Sequence, residues 1–113
     1  MLKLYGIKNC DTVKRSRKWL EQHGYEYEFH DFRSEGLDSD LLELFVEKIG
    51  WENLLNRRGT TWRKLPESDR ENLDEAKAKR LMLSQPTLIK RPVIDHDHRF
   101  CAGFSPEFFQ HPG

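Results

Sequence analysis

The segment from Leu2 to His30 restricts the fold more than any other stretch. Leu2, Leu4 and Ile7 surround Lys3 and Tyr5 in an apolar run that reads as a short strand, stopped by the turn from Gly6 to Asn9. From Asp11 to His23 the period becomes helical, with Val13, Ser16 and Leu20 on one stripe and Lys14, Arg15, Arg17 and Lys18 mostly around it. Gly24 supplies a C-terminal stop. Tyr25-Glu26-Tyr27-Glu28-Phe29-His30 then alternates aromatic and polar residues at period two, which predicts a second strand with its aromatic face against the core. A strand, a helix and a strand in so short a span form a βαβ unit, and its crossover makes the two strands parallel.

The middle of the chain changes character. After Ser34-Glu35-Gly36, the residues Leu41, Leu42, Phe45, Val46 and Ile49 recur at helical spacing until Gly50, and Trp51 to Asn56 adds one further short turn of helix. Arg57 to Leu65 shows neither period clearly and is expected to be a loop. Pro66 starts a short helix, and Leu73 to Leu83 forms another, supported by Glu75 and Lys79 at i,i+4. Residues from about 34 to 84 are therefore expected to be a mostly helical insertion. Thr87-Leu88-Ile89 resumes strand character. Val93-Ile94-Asp95 then meets Arg99-Phe100-Cys101-Ala102 across the turn His96-Asp97-His98 as a hairpin. Ser105-Pro106-Glu107 opens a short closing helix that carries Phe108 and Phe109. The order βαβ, insertion, ββα is that of an α/β thioredoxin-like fold. With 113 residues and no repeat, low-complexity tract or dividing linker, a single domain over residues 1–113 is expected.

Composition removes several function classes. Lys+Arg and Asp+Glu are both 19, so no global basic excess points to nucleic acid. No apolar run is long enough to span a bilayer, and Met1-Leu2-Lys3 leads into a strand pattern without a signal-peptide arrangement, so no membrane association and a cytoplasmic location are expected. The two cysteines, Cys10 and Cys101, lie far apart, with no short-spaced pair for a zinc site or disulfide framework. His96-Asp97-His98 reads as a plain turn rather than a set of metal ligands, because neighbours on one hairpin tip rarely converge. Trp19, Trp51 and Trp62 read as core or groove-wall aromatics.

Chemistry concentrates at the first strand-to-helix junction. Cys10 sits there, where unpaired N–H groups and the positive end of the macrodipole favour thiolate over thiol. A small buried cysteine with no chemistry is the alternative. In thioredoxin-like folds the reactive cysteine occupies this junction, and a proline, commonly cis, precedes the hairpin strand and approaches it; Pro92 holds that sequence position. The residue three after Cys10 is Val13, so the C-x-x-C pair is absent and a mixed disulfide must be handed to glutathione, a glutaredoxin or the distant Cys101. Lys8 and an arginine or two near the helix N-terminus stabilise a thiolate and offer donors to a carboxylate or oxyanion. Asp11 pulls the other way if its carboxylate approaches the sulfur. Arg57, Arg58, Arg63 and Lys64 also read as a solvated basic loop, and Lys14 to Lys18 as a solvated helix face.

Three separated motifs in order, Tyr5 to Thr12, Leu54 to Leu65 and Ile89-Lys90-Arg91-Pro92, resemble the ArsC/Spx family and specifically its YffB-type branch. The resemblance spans nearly the whole chain. It implies a thioredoxin-like domain with a helical insertion, a nucleophilic Cys10, and arginines that bind an oxyanion or the carboxylates of glutathione. Arg91 matches an active-site arginine and Arg58 a second one, with Arg57 adjacent to it. Lys8, Asn9, Thr12 and Pro92 complete the implied binding set. Two departures count against arsenate: Ala102-Gly103 stand where arsenate reductases place a third arginine, and their Cys-Gly-Thr-Ser loop is replaced by Cys10-Asp11-Thr12-Val13. The implied activity is a monomeric glutathione-dependent thiol reductase without a bound cofactor or metal, with glutathione as co-substrate and glutaredoxin as a further partner. Its rivals are an arsenate reductase coupled to glutathione and glutaredoxin, and an Spx-like regulator that binds RNA polymerase. Regulators of that kind commonly carry C-x-x-C, which Val13 breaks here.

Overall fold

A computed structural model of the chain describes residues 2–110. Met1 and residues 111–113, which the single-domain expectation also spans, lie outside the described residues. In chain order the elements are β1 (Leu2–Gly6), α1 (Asp11–Gln22), β2 (Tyr27–Asp31), α2 (Ser39–Ile49), α3 (Trp51–Leu54), α4 (Thr60–Lys64), α5 (Glu67–Arg70), α6 (Glu75–Ser84), a 3-10 turn (Pro86–Leu88), β3 (Val93–His96), β4 (Arg99–Ala102) and α7 (Glu107–Gln110). They pack as two compact units, Met1–Gly36 with Arg91–Gly113, and Leu37–Lys90.

The first unit is built on a four-stranded sheet in the order β2-β1-β3-β4. β1 and β2 run parallel with Leu4 opposite Phe29, as the βαβ pattern requires, and β3 is antiparallel to both β1 and β4. This is the α/β thioredoxin-like arrangement expected from the element order. The register lines up Phe29, Leu4, Ile94 and Cys101 across the sheet. Leu2, Leu4, Leu20 and Ile94 form a buried cluster there, and the β2 aromatics Tyr27 and Phe29 pack against it with Trp19, Tyr25, Cys101 and Phe104. The hairpin is tighter than expected. His96 pairs with Arg99, which leaves Asp97 and His98 as a two-residue turn with φ of 53° and 62°, the left-handed pair that suits the twist of an antiparallel hairpin.

Strand β1 and helix α1 meet at a contact that tolerates no side chain. A Cβ built on Gly6 would lie 2.7 Å from Val13 Cγ2, and Val13 is fully buried. Gly6 is thus required by close approach rather than by backbone conformation. The contact sets how the turn between them, Ile7 to Cys10, leaves the sheet.

The second unit holds the helical insertion. Asp38 Oδ1 accepts from Leu41 N at 2.8 Å to cap α2, and Asp74 Oδ1 does the same for Lys77 N at 2.8 Å in α6. Gly50, at φ 92°, ends α2 where the pattern predicts a stop. Packing among α2, α3, α6 and the 3-10 turn buries Leu42, Phe45, Leu54, Met82 and Leu88 completely or nearly so. Lys79 Nζ lies 2.7 Å from Glu43 and 3.5 Å from Glu75, so the expected i,i+4 pair is present and is supplemented across two helices.

Two expectations fail in this unit. Residues 60–64, within the expected loop, form α4; five residues are under two turns, too few to display an apolar period. Thr87-Leu88-Ile89, read as a strand, is instead the end of the 3-10 turn. Pro86 supplies its first position, Leu88 N bonds to Gln85 O at 2.9 Å, and Ile89 makes only an isolated antiparallel bridge with Leu55. Consecutive burial of Leu88 and Ile89 imitates a buried strand because periodicity cannot separate the two over so few residues. The bridge lies within the second compact unit, which runs to Lys90, while its last α-helix ends at Ser84.

The Gly6–Val13 contact makes a prediction for stability. Gly6→Ala destabilises the protein by about 1–3 kcal/mol in urea unfolding, as overpacking does. In a Val13→Ala background the same substitution costs less, with a coupling of at least ~0.5 kcal/mol; strict additivity of the two changes would refute the steric account.

Candidate active site

Cys10 is the N-cap of α1, with extended backbone at φ −93° and ψ 127°. Its N–H closes a turn onto Ile7 O at 3.1 Å, and its carbonyl accepts the first helical bond from Lys14 N at 2.9 Å. Asp11, Thr12 and Val13 therefore contribute N–H groups that have no partner within the helix. The Cys10 side chain makes no capping bond, and the residue is half-buried at the positive end of the macrodipole, accessible in part to a reagent. Lys8 and Asn9 lie exposed on the turn before it, and Asp11 is exposed on the first helical turn. Thr12 is half-buried, with its carbonyl accepting from Ser16 Oγ at 2.6 Å; this bond satisfies a hydroxyl that is otherwise wholly buried.

Arg91-Pro92 enters from the other end of the sequence. The bond between them is cis. The last β1–β3 pair is Tyr5 with Val93, so one step further along each strand stand Gly6 and the buried Pro92. The register thereby brings Arg91-Pro92 to the same end of the sheet as the turn that carries Cys10. Pro92 O is held by Gly103 N at 2.8 Å. Arg91 is half-buried and has no ion-pair partner among the described residues.

Arg58 belongs to the helical unit, where it and Arg57 separate in role. The Arg57 guanidinium lies 5.9 Å from the centre of the Trp51 ring, a cation–π contact. Arg58 is fixed through its backbone, its N–H donating to Asn56 Oδ1 at 3.0 Å and its carbonyl accepting from Arg63 Nη2 at 3.0 Å. Gly59 follows because a Cβ there would meet Asn56 Nδ2 at 3.0 Å. Both arginines line a cavity of about 320 Å³ with Glu52, Asn53, Leu55 and Lys90. Lys90 was not visible as part of this group from sequence. It arrives through Lys90 N bonding Leu54 O at 2.9 Å and the Leu55–Ile89 bridge, long-range pairings with no local signature.

Cys101 lies in β4 opposite Ile94, with its thiol 3.7 Å from Gly103 O. Burial pushes the thiol up to about 11, against the opposing pull of the Arg99 cation, so it remains protonated at neutral pH. Packing against the Leu2, Leu4, Leu20 and Ile94 cluster accounts for its place. Among the described residues no group of three or more His, Cys, Asp or Glu side chains is arranged to hold a metal, and no helix is long and apolar enough to cross a membrane.

Comparison with known proteins agrees with this geometry. The ArsC family model matches residues 5–111. The solved structure of the YFFB protein superposes with a TM-score of 0.91 at 47% identity, covering 97% of this chain and 96% of that one. That of an arsenate reductase (ArsC) related protein from Brucella melitensis superposes with a TM-score of 0.80 at 52% identity, covering 96% and 91%. The global transcriptional regulator Spx of Listeria innocua is 28% identical over 95% of this chain and 82% of its own length. A match over nearly the whole chain, with the strand-to-helix cysteine and the cis Arg91-Pro92 bond inside it, leads to one conclusion: the chain belongs to the ArsC family.

Proposed function

We propose that the protein is a glutathione-dependent monothiol reductase with Cys10 as its nucleophile. The observation that carries this reading is the half-buried Cys10 at the N-cap of α1, at the positive end of the macrodipole, with a fully buried Val13 where a local resolving thiol would have to stand. Cys10 thiolate attacks one sulfur of a substrate disulfide. The S–S bond breaks, a mixed disulfide forms on Cys10, and the departing thiolate takes a proton from solvent. One glutathione thiolate attacks the Cys10 sulfur of that mixed disulfide, releasing the substrate's remaining thiol and leaving glutathione on Cys10. A second attacks that glutathione sulfur, restoring Cys10 and releasing glutathione disulfide, so that substrate is reduced as two glutathione thiols are oxidised. Arg91 offers paired N–H donors to a glutathione carboxylate, the role the family resemblance implies for Arg58 as well, and Lys8 and Asn9 on the turn, Thr12 in the first turn of α1 and Pro92 flank the approach to the sulfur. Glutaredoxin is the alternative resolving thiol. The cytoplasm, where such thiols are kept reduced, is the compartment this chemistry needs.

A second reading draws on the Listeria innocua relative: a regulator that binds RNA polymerase. The buried Val13, held against Gly6, weighs against a C-x-x-C switch in this chain. Arsenate reduction is weakened by an acid, Asp11, next to Cys10 in the sequence and by Ala102-Gly103 in place of a third cation.

The test is direct. Cys10→Ser abolishes thiol-disulfide turnover with glutathione while leaving the urea unfolding midpoint unchanged; turnover that persists, or polymerase captured by the wild type in a pull-down without any turnover, would replace the reductase reading. Arg91→Ala raises the KM for glutathione roughly tenfold or more, the loss expected for a hydrogen bond between charged groups at about 1.5–3 kcal/mol. Near neutral pH, iodoacetamide followed by mass spectrometry labels Cys10 and spares Cys101, and Cys101→Ser retains turnover; a dead Cys101→Ser enzyme would make Cys101 the resolving thiol.

A further inference from the structure

The exposed face of α1 carries a charge pattern that helix stability does not explain. Lys14, Arg15 and Lys18 follow Asp11 at i+3, i+4 and i+7, a single stripe along the helix. All three are exposed and none has an ion-pair partner among the described residues. Arg17 differs, since its Nε donates to Tyr27 Oη at 3.0 Å and its guanidinium lies 4.4 Å from the Phe29 ring centre. Lys14 and Lys18 are like charges at i,i+4, which disfavours the helix. A helix also gains from cations in its last turn, yet α1 has none there and begins its stripe at the end that disfavours them. Glu21, the acid toward the C-terminal end, is engaged with Tyr27 Oη at 2.8 Å, which leaves Asp11 as the acid at the head of the stripe.

The stripe starts on the helical turn that carries Cys10, with the exposed Lys8 just before it. At about 1.5 Å per residue, Lys18 lies roughly 12 Å along the axis from Cys10. A chain whose disulfide reaches the sulfur would lay its flanking residues over this stretch, close to the range of roughly 8–10 Å over which charges act in physiological salt.

We infer that the Lys14, Arg15 and Lys18 stripe docks the acidic flank of a polypeptide substrate, delivering that substrate's disulfide to Cys10. This rests on the reading of Cys10 as the nucleophile and specifies the class of partner. The chain is neutral overall, so a local cationic stripe beside the nucleophile steers acidic substrates without making the whole protein a polyanion binder. The chemistry is the exchange described above: the polypeptide's S–S bond breaks, one sulfur bonds to Cys10 and the other leaves as thiolate, and glutathione resolves the adduct.

Three synthetic peptides test it, each bearing one cysteine flanked by glutamates, serines or lysines and each presented as its disulfide with thionitrobenzoate. Release of thionitrobenzoate by the full-length protein is followed at low and high sodium chloride. The glutamate peptide reacts about tenfold or more faster than the lysine peptide at low salt, and the gap closes at high salt. The combined variant Lys14→Gln, Arg15→Gln, Lys18→Gln removes the preference while iodoacetamide still alkylates Cys10 at the wild-type rate. Equal rates for all three peptides, or a preference that survives in the variant, would overturn the inference and leave Cys10 as nucleophile. No exchange with any peptide would overturn both. Should the stripe instead hold a short DNA duplex in fluorescence anisotropy, with affinity lost in the variant, its ligand is phosphate and the polypeptide assignment fails.

Discussion

The approach of β1 to α1 at Gly6 and Val13 is the constraint on which the candidate site depends. A glycine at the end of the strand lets the helix settle until a valine methyl occupies the space where any other residue would place its Cβ. That closeness bounds the short turn from Ile7 to Cys10, which ends with Cys10 as the N-cap of the helix. It also consumes the position three residues after the cysteine. Val13 is a packing residue whose burial leaves Cys10 without a neighbouring thiol, and the chemistry is turned toward an external sulfur.

Electrostatics act on top of that geometry. Equal numbers of acids and bases make the chain neutral, but the charges are not evenly mixed. The start of α1 contributes unpaired N–H groups, the sheet register brings Arg91 to the same end of the sheet as the turn that carries Cys10, and the exposed face of α1 carries three further cations leading away from it. Cys101 shows the opposite environment. The same thiol, turned into an apolar cluster with a single nearby arginine, is held in its protonated form. The two cysteines thus stand in different surroundings, one at a helix terminus near solvent and the other packed against the sheet core.

The helical unit follows a different logic, with short elements held by caps and long-range pairings. Asp38 and Asp74 fix where α2 and α6 begin. The Asn56 side chain holds the Arg58 backbone and packs closely over Gly59, next to Arg57, whose guanidinium faces Trp51; both arginines line the cavity. Asn56 N in turn bonds Leu88 O at 2.7 Å, which ties the motif to the 3-10 turn that the strand-like run Thr87 to Ile89 conceals.

Local signals in the sequence carried the βαβ start, α2 with its glycine stop, the hairpin, the closing helix, and Cys10 at a helix start. Each of these rests on a period several residues long or on a residue with a fixed conformational role, and such signals survive without knowledge of the rest of the chain. The family resemblance singled out Arg91, Pro92 and Arg58. Tertiary structure alone decided that residues 60–64 are helical, that Pro86 to Leu88 turn rather than extend, and that Lys90 joins the two arginines at one cavity. It also decided that Gly6 is needed for its missing Cβ. These outcomes depend on which distant atoms fill a given space, and a short stretch of chain cannot encode its own neighbours.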